Sequence, residues 1–265
     1  MFGSSDEADS AGQPWAGRHF EPNPNADDDG SADPAYIAAI TAFRALDMAD
    51  AARNDVAVQV VNAVREARFL VPLMAVAGEE GVNDKGLTVD KTQELALFVV
   101  QGPTGKRVQP VFSSVEAMQR WNKDARPVPA QARIIALAAV SGEADWIVID
   151  PTSDTEFVLR RPVVEAVAKG APWQAPNADP ELVSTFEAAA FGDTVISQVI
   201  LGAGDPDYRG WGDELIARVV IAPKTPQFEV EPALKRLTEK WAKDSTLSAK
   251  IDSLNVQVVS DSEPA

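Results

Sequence analysis

The sequence predicts an α+β protein of two small mixed-sheet domains with helices packed on the sheets, preceded by an acidic N-terminal arm. Three observations carry this. Leu95, Leu97 and Val99 alternate with Ala96, Phe98 and Val100, so an extended strand there has two apolar faces, as a central strand does. Residues 171–179, APWQAPNAD, are Pro-rich and lack any period, which reads as a linker. Beyond it the apolar spacings run helix, strand, strand, helix, strand, without the regular alternation of a doubly wound parallel sheet.

Residues 1–34 are rich in Asp, Gly, Ser, Asn and Pro and too poor in aliphatics to order themselves, the composition of an arm. Trp15, His19 and Phe20 are the residues by which its middle would dock on the body. Asp33-Pro34 reads as an N-cap followed by a first helical residue, with Ile37, Ile40 and Phe43 behind it. Val56, Val60, Val61 and Val64 give a second helix over 55–67. Residues 68–77 follow as a strand in which Pro72 marks an edge or a bulge.

The apolar run 95–100 turns at Gly102-Pro103-Thr104-Gly105 and returns through Lys106-Arg107 into 108–112, a hairpin. Ser113 and Glu116 have capping-box spacing, so a short helix is expected to start at Ser113 or Ser114 and carry Val115, Met118 and Trp121 inward. Pro127 and Pro129 break the chain, and a helix over 129–140 is expected to end at Gly142 in the left-handed conformation. Strands at 146–149 and 157–159 pair, and Arg161-Pro162 opens the last helix of a domain spanning 35–170.

After the linker, Asp179 caps a helix starting at Pro180, with Leu182 and Phe186 on one side. Strands at 195–201 and 214–221 follow, joined by residues 202–212. Val230, Leu234, Leu237 and Trp241 make the stripe of an amphipathic helix lying on a sheet. A strand over 254–259 closes the second domain, 180–260, ahead of the tail 261–265.

Composition narrows the function classes. Among 265 residues there is no cysteine, which excludes disulfides, thiolate metal sites and cysteine nucleophiles and fits a reducing cytoplasm. The longest apolar runs are strand length and the N-terminus is acidic, so neither a membrane span nor a secretory signal is expected. With 40 acidic against 24 basic residues the formal net charge is −16, which repels nucleic acid.

The motifs of the chain carry little chemistry. Residues 25–30, NADDDG, match the first half of a calcium loop, but Tyr36 stands where a bidentate carboxylate is required, so no metal is assigned. Gly202-Ala203-Gly204 is followed by Asp205 and Asp207, the wrong charge for a phosphate, and no cofactor is implied. His19 is the single histidine, which leaves triads little to work with. The loop 205–212, DPDYRGWG, stands out because Tyr208, Arg209 and Trp211 are hot-spot types set between turn residues. Either it binds a partner together with Trp173 of the linker, or Trp211 caps the sheet and Arg209 pairs with a nearby Asp. Arg160 and Arg161 are a weaker candidate pair for an anion.

Residues 15–18 (WAGR), 23–25 (NPN), 28–33 (DDGSAD), 68–73 (RFLVPL), 94–97 (ELAL), 110–115 (PVFSSV), 125–128 (ARPV) and 157–162 (FVLRRP) together resemble the SseB family of the actinobacterial type. Gly202–Pro206 and the strand–helix–strand end are similar to that family's C-terminal domain. These motifs are structural, and the resemblance implies a layout rather than catalytic residues. The family's name implies a tie to serine sensitivity. The expected function is thus a non-enzymatic cytoplasmic binding or regulatory protein whose partner is an unknown protein or small metabolite. The alternative is an enzyme acting on an amino-acid-derived small molecule.

Overall fold

The structure, a computed structural model, describes residues 28–74, 81–82, 88–89, 99–102, 105–142 and 144–260. Trp15, His19 and Phe20 of the arm, and residues 91–98 of the expected central strand, lie outside them. Helix α1 (Pro34–Arg44) begins where expected: the Asp33 carboxylate accepts from the N–H of Ala35 at 2.8 Å and of Tyr36 at 3.2 Å. It buries Tyr36, Ile40 and Phe43 at helical spacing, and α2 (Arg53–Glu66) buries Ala57, Val60, Val61 and Val64.

Strand β1 (Arg68–Leu73) leaves α2 directly, and a short antiparallel pair, β2 (Gly81–Val82) and β3 (Thr88–Val89), comes next. The hairpin is present as β4 (Val100–Gln101) against β5 (Arg107–Val111), with Val100 opposite Val108. Its turn needs glycine at Gly105, where φ is +79° and the N–H donates to the Gly102 carbonyl at 3.0 Å. Helix α3 (Val115–Trp121) is capped by the Ser114 hydroxyl, which accepts from the Ala117 N–H.

Residues 126–131 correct the expectation of a helix starting at Pro129. They form strand β6 (Arg126–Gln131), antiparallel to β1, and α4 (Ala132–Ser141) starts only after it. The reason is parity. Leu70 exchanges both backbone hydrogen bonds with Phe112, at 2.7 and 2.9 Å, so its polar groups point away from β6. Pro129 is opposite Leu70 and Pro127 is opposite Pro72, at the same parity, where the ladder asks for no N–H. Gly142 is also not left-handed; its φ and ψ of −92° and −156° are extended. The left-handed cap is Gly170, which ends α5 (Arg161–Lys169).

The main sheet runs β4-β5-β7-β8, with β7 (Trp146–Ile149) parallel to β5 and β8 (Phe157–Leu159) antiparallel to β7. Its strands have two different faces. Val111, Ile147, Ile149, Phe157 and Leu159 join the helices in the larger core. Val108, Trp146, Val148 and Val158 form a separate small cluster on the opposite face. The sequence of β7 is apolar throughout for this reason, although among the described residues helices roof only one of its faces.

Residues 171–179 pack closely onto the body. Trp173 is 8 % exposed within the larger core, and a 3-10 turn spans Pro176–Ala178. Helix α6 (Pro180–Ala190) is capped by Asp179 as expected. Strands β9 (Ile196–Ala203), β10 (Leu215–Ile221) and β11 (Leu254–Ser260) form a second sheet in the order β11-β10-β9. Helix α7 (Gln227–Lys243) turns Ala233, Leu237 and Trp241 toward a core shared with Leu182, Phe186 and Leu215, and α8 (Ser245–Lys250) adds Leu247. The β10–β11 pair is parallel and β9–β10 antiparallel, so this sheet is mixed like the first. Among the described residues no helix is long and apolar enough to cross a membrane.

Candidate functional site

The loop between β9 and β10 leaves its own sheet and docks on the other one. Asp205 organises it. Its carboxylate is 8 % exposed and accepts from the N–H of Gly210 at 2.7 Å and of Arg209 at 3.2 Å. Arg160, at the start of α5, donates to the same carboxylate at 2.8 Å. The Tyr208 carbonyl accepts from the Val158 N–H at 2.8 Å, which continues the main sheet past β8. Gly210 has φ of +73°, and a Cβ there would stand 2.9 Å from the Trp146 ring, so only glycine allows this approach.

Held this way, neighbouring side chains go opposite ways. Tyr208 turns inward, stacked 4.9 Å from Phe157 with Phe43 and Trp173 edge-on at 5.7 and 6.2 Å, and burial pushes its phenol well up. Tyr208 and Trp173 are therefore core residues, a correction to their expected place on a partner-binding surface. A stacked aromatic cluster hidden under α1 gains more from burial than a solvated Tyr would. Trp211 points out and is 79 % exposed. Arg209 lies 3.5 Å from the Glu156 carboxylate, not an aspartate, and donates to the Ser153 carbonyl.

Arg209 and Trp211 border a cleft of about 580 Å³ over the face of the main sheet that has no helical roof among the described residues. Its floor is Val108, Val148 and Val158, with Trp146 beside them and Trp121 of α3 on the wall. Trp146 is locked. Its indole N–H donates to Asp252 at 3.1 Å, and the Arg160 guanidinium sits 4.8 Å from its ring centroid. The cleft thus joins apolar floor, indole walls and one neutralised ion pair, a surface for burying an apolar or aromatic group.

Arg160 is not free to bind an outside anion, which corrects its expected role. It is 2 % exposed, and beyond Asp205 it donates to Asp252 at 3.4 Å, Ser253 at 3.2 Å and the Gly212 carbonyl at 2.6 Å. Its anions are internal carboxylates brought from across the chain. Arg161 is half-exposed and pairs one helical turn on with Glu165 at 3.0 Å. Glu214 joins the same seam: one oxygen accepts from the Asp252 N–H at 2.7 Å, and the other has no partner among the described residues. Burial pushes its carboxyl up to about 7. Glu214 does not line the cleft.

Three further polar contacts hold the scaffold. Arg53, buried, donates to the Pro206 carbonyl at 2.8 Å, pairs with Asp207 and lies 4.4 Å from the Phe43 ring centroid. Asp150 has φ of +47°, and its carboxylate ties the ends of β5 and β7 by accepting from the Ser113 N–H at 2.7 Å and hydroxyl at 2.6 Å. Burial pushes its carboxyl up. Of the half calcium loop, Asp28 pairs with Arg68, whose hydrogen bond holds its carboxyl low, while Tyr36 is buried with its hydroxyl donating to Thr155. Among the described residues no three of His, Cys, Asp or Glu are grouped to hold a metal ion.

Arg209 and Trp211 are legible in the sequence as members of this site, whereas Asp205, Trp146, Trp121 and Glu156 are brought to it only by the fold. Asp205 carried a signal: between Gly204 and Pro206 in a turn, an Asp accepts backbone N–H groups rather than repelling a ligand.

Residues 43–166 match the family model described as the SseB protein N-terminal domain. Over this segment the chain is similar to the SseB family. The matched segment runs from Phe43 into α5, ending at Ala166, and contains the whole main sheet, most of the cleft and Arg160. Asp205, Arg209 and Trp211 lie beyond it, so the cleft is completed by a loop from outside the matched SseB domain. No curated protein and no solved structure matches the chain.

Proposed function

We propose that this chain is a non-enzymatic cytoplasmic binding protein and that its partner inserts an apolar or aromatic group into the cleft between Trp211, Trp146 and Trp121. The observation that carries the reading is Trp211: a 79 % exposed indole on a backbone held by Asp205 and by the Tyr208–Val158 hydrogen bond. A large side chain exposed on a loop tied down by such bonds loses less entropy on binding than one on a free loop, which is the economy of a hot spot. Against the enzyme reading stands the position of Glu214, whose carboxyl near neutrality lies in the seam and not in the cleft. Residues 180–260 are inferred to be the family's C-terminal domain. The net charge of −16 supports a partner other than nucleic acid.

The test is a comparison of wild type with Trp211→Ala/Arg209→Ala as affinity baits in lysate of the native cell, with bound proteins identified and each then titrated in pure form. A partner that binds wild type at least tenfold more tightly than the variant supports the cleft. Equal recovery and equal affinity for both baits sinks it. A parallel thermal-shift series with serine and related amino acids reads the metabolite form of the proposal, in which the wild type alone would be stabilised.

A further inference from the structure

We infer that the outer edge of β11 is a self-association surface, through which two copies of this chain pair antiparallel about a two-fold axis into one continuous six-stranded sheet. The inference stands apart from the cleft.

Strand β11 ends the second sheet, and among the described residues no strand pairs its outer side. Which backbone groups face that side follows from one hydrogen bond. The Leu215 N–H donates to the Ser253 carbonyl at 3.2 Å, so odd-numbered residues here aim their polar groups at β10. Leu254, Val256 and Val258 therefore turn theirs outward. Four consecutive residues, Asn255 to Val258, are exposed, with Val256 at 36 % and Val258 at 48 %. The opposite edge, β9, exposes only Ser197 and Gln198 and is flanked by α6 and the 3-10 turn.

The edge lacks the usual protections. Edge strands are kept apart by charges, prolines or bulges, and β11, LNVQVVS, has none across a regular seven-residue register. In a chain of net charge −16 two copies repel, so a mutual contact must fall where charge is absent. This strand is such a place. It is also self-complementary. An axis through Gln257 sets Val256 opposite Val258 of the second copy, and both belong to the outward-facing parity, so each pair exchanges two backbone hydrogen bonds. Their side chains lie on the same face as Ala217 and Val219, which extends the core, and grooves of about 360 and 650 Å³ open along that edge beside Val256 and Val258.

Analytical ultracentrifugation of the full chain, from about 1 µM to about 1 mM, tests this. Wild type is expected to reach twice its 28.3 kDa chain mass. Val258→Lys sets an ammonium in the pair, and Val256→Pro removes an outward N–H that β10 does not use. Each should raise the dimer dissociation constant about a hundredfold, because the axis counts every substitution twice, with an unchanged far-UV circular dichroism spectrum. Hydrogen exchange at the Val256 and Val258 amides reads the contact without substitution: slow in concentrated protein and fast in dilute protein. A wild type monomeric throughout, concentration-independent exchange, or variants that dimerise as tightly as wild type would each overturn the inference.

Discussion

Arg160 and Asp205 meet at 2.8 Å, both almost wholly buried, and this one ion pair joins the start of α5 to the loop that leaves the second sheet. The same guanidinium reaches Asp252 ahead of β11 and covers Trp146 on β7, so a single side chain ties both sheets and one wall of the cleft.

Removing one partner of such a pair leaves the other's charge buried. Arg160→Met strands the Asp205 carboxylate, whereas Asp252 keeps Lys106 at 3.3 Å and the Trp146 indole N–H, and a loss of about 3–5 kcal/mol in unfolding free energy is expected from urea titration. Trp146 fluorescence should shift to longer wavelength at the same time. A loss below about 1 kcal/mol would mean the seam is not load-carrying in solution.

Glu214 makes stability depend on pH with a definite sign. Its folded carboxyl sits near 7, above the ordinary value of 4.5, so between those values the folded chain holds more of this proton than the unfolded chain. The contribution is fully present below about 4.5 and is lost as pH rises through about 7. Glu214→Gln cannot lose it. The difference in unfolding free energy, variant minus wild type, should increase between pH 5 and pH 8 by an amount on the order of 3 kcal/mol. A difference flat across that window refutes the raised carboxyl.

The two aromatic residues of the 205–212 loop should behave oppositely. Tyr208→Ala empties a site among Phe43, Phe157 and Trp173 and is expected to cost about 3–5 kcal/mol. Trp211→Ala removes an exposed ring and should stay within about 0.5 kcal/mol of wild type in the same urea titration. If the costs are equal, the inward and outward assignments are wrong.

Gly210→Ala combines a left-handed backbone with a Cβ against the Trp146 ring. A destabilisation of about 1–3 kcal/mol is expected, with weakened partner binding, because the displaced loop carries Trp211. Gly192, also left-handed but with open space around it, is the control: Gly192→Ala meets only the backbone strain, about 1 kcal/mol.

Gln109 on β5 is wholly buried, and neither end of its amide has a hydrogen-bond partner among the described residues. Gln109→Met keeps the length and removes two unsatisfied groups. Chemical denaturation should show a gain of about 1–2 kcal/mol; a loss would mean the amide is satisfied in solution.

Local chemistry was legible in the chain by itself. The caps at Asp33 and Asp179, the glycine turn at Gly105, the stripes of α2 and α7 and the α+β class all rest on contacts within a few residues, where spacing is sufficient. Relations across the chain were decided only by the tertiary structure. Prolines at 127 and 129 read as breakers until β1 supplies a partner whose parity needs no N–H there. Tyr208, Arg209 and Trp211 form one motif in sequence, but their alternate directions depend on Asp205 and on Arg160, which is 45 residues away along the chain. Arg160 itself looked like an anion site because its anions lie 45 and 92 residues distant. Burial and charge pairing are properties of the assembled sheets, and a side chain's role in them follows from where the fold sends its neighbours.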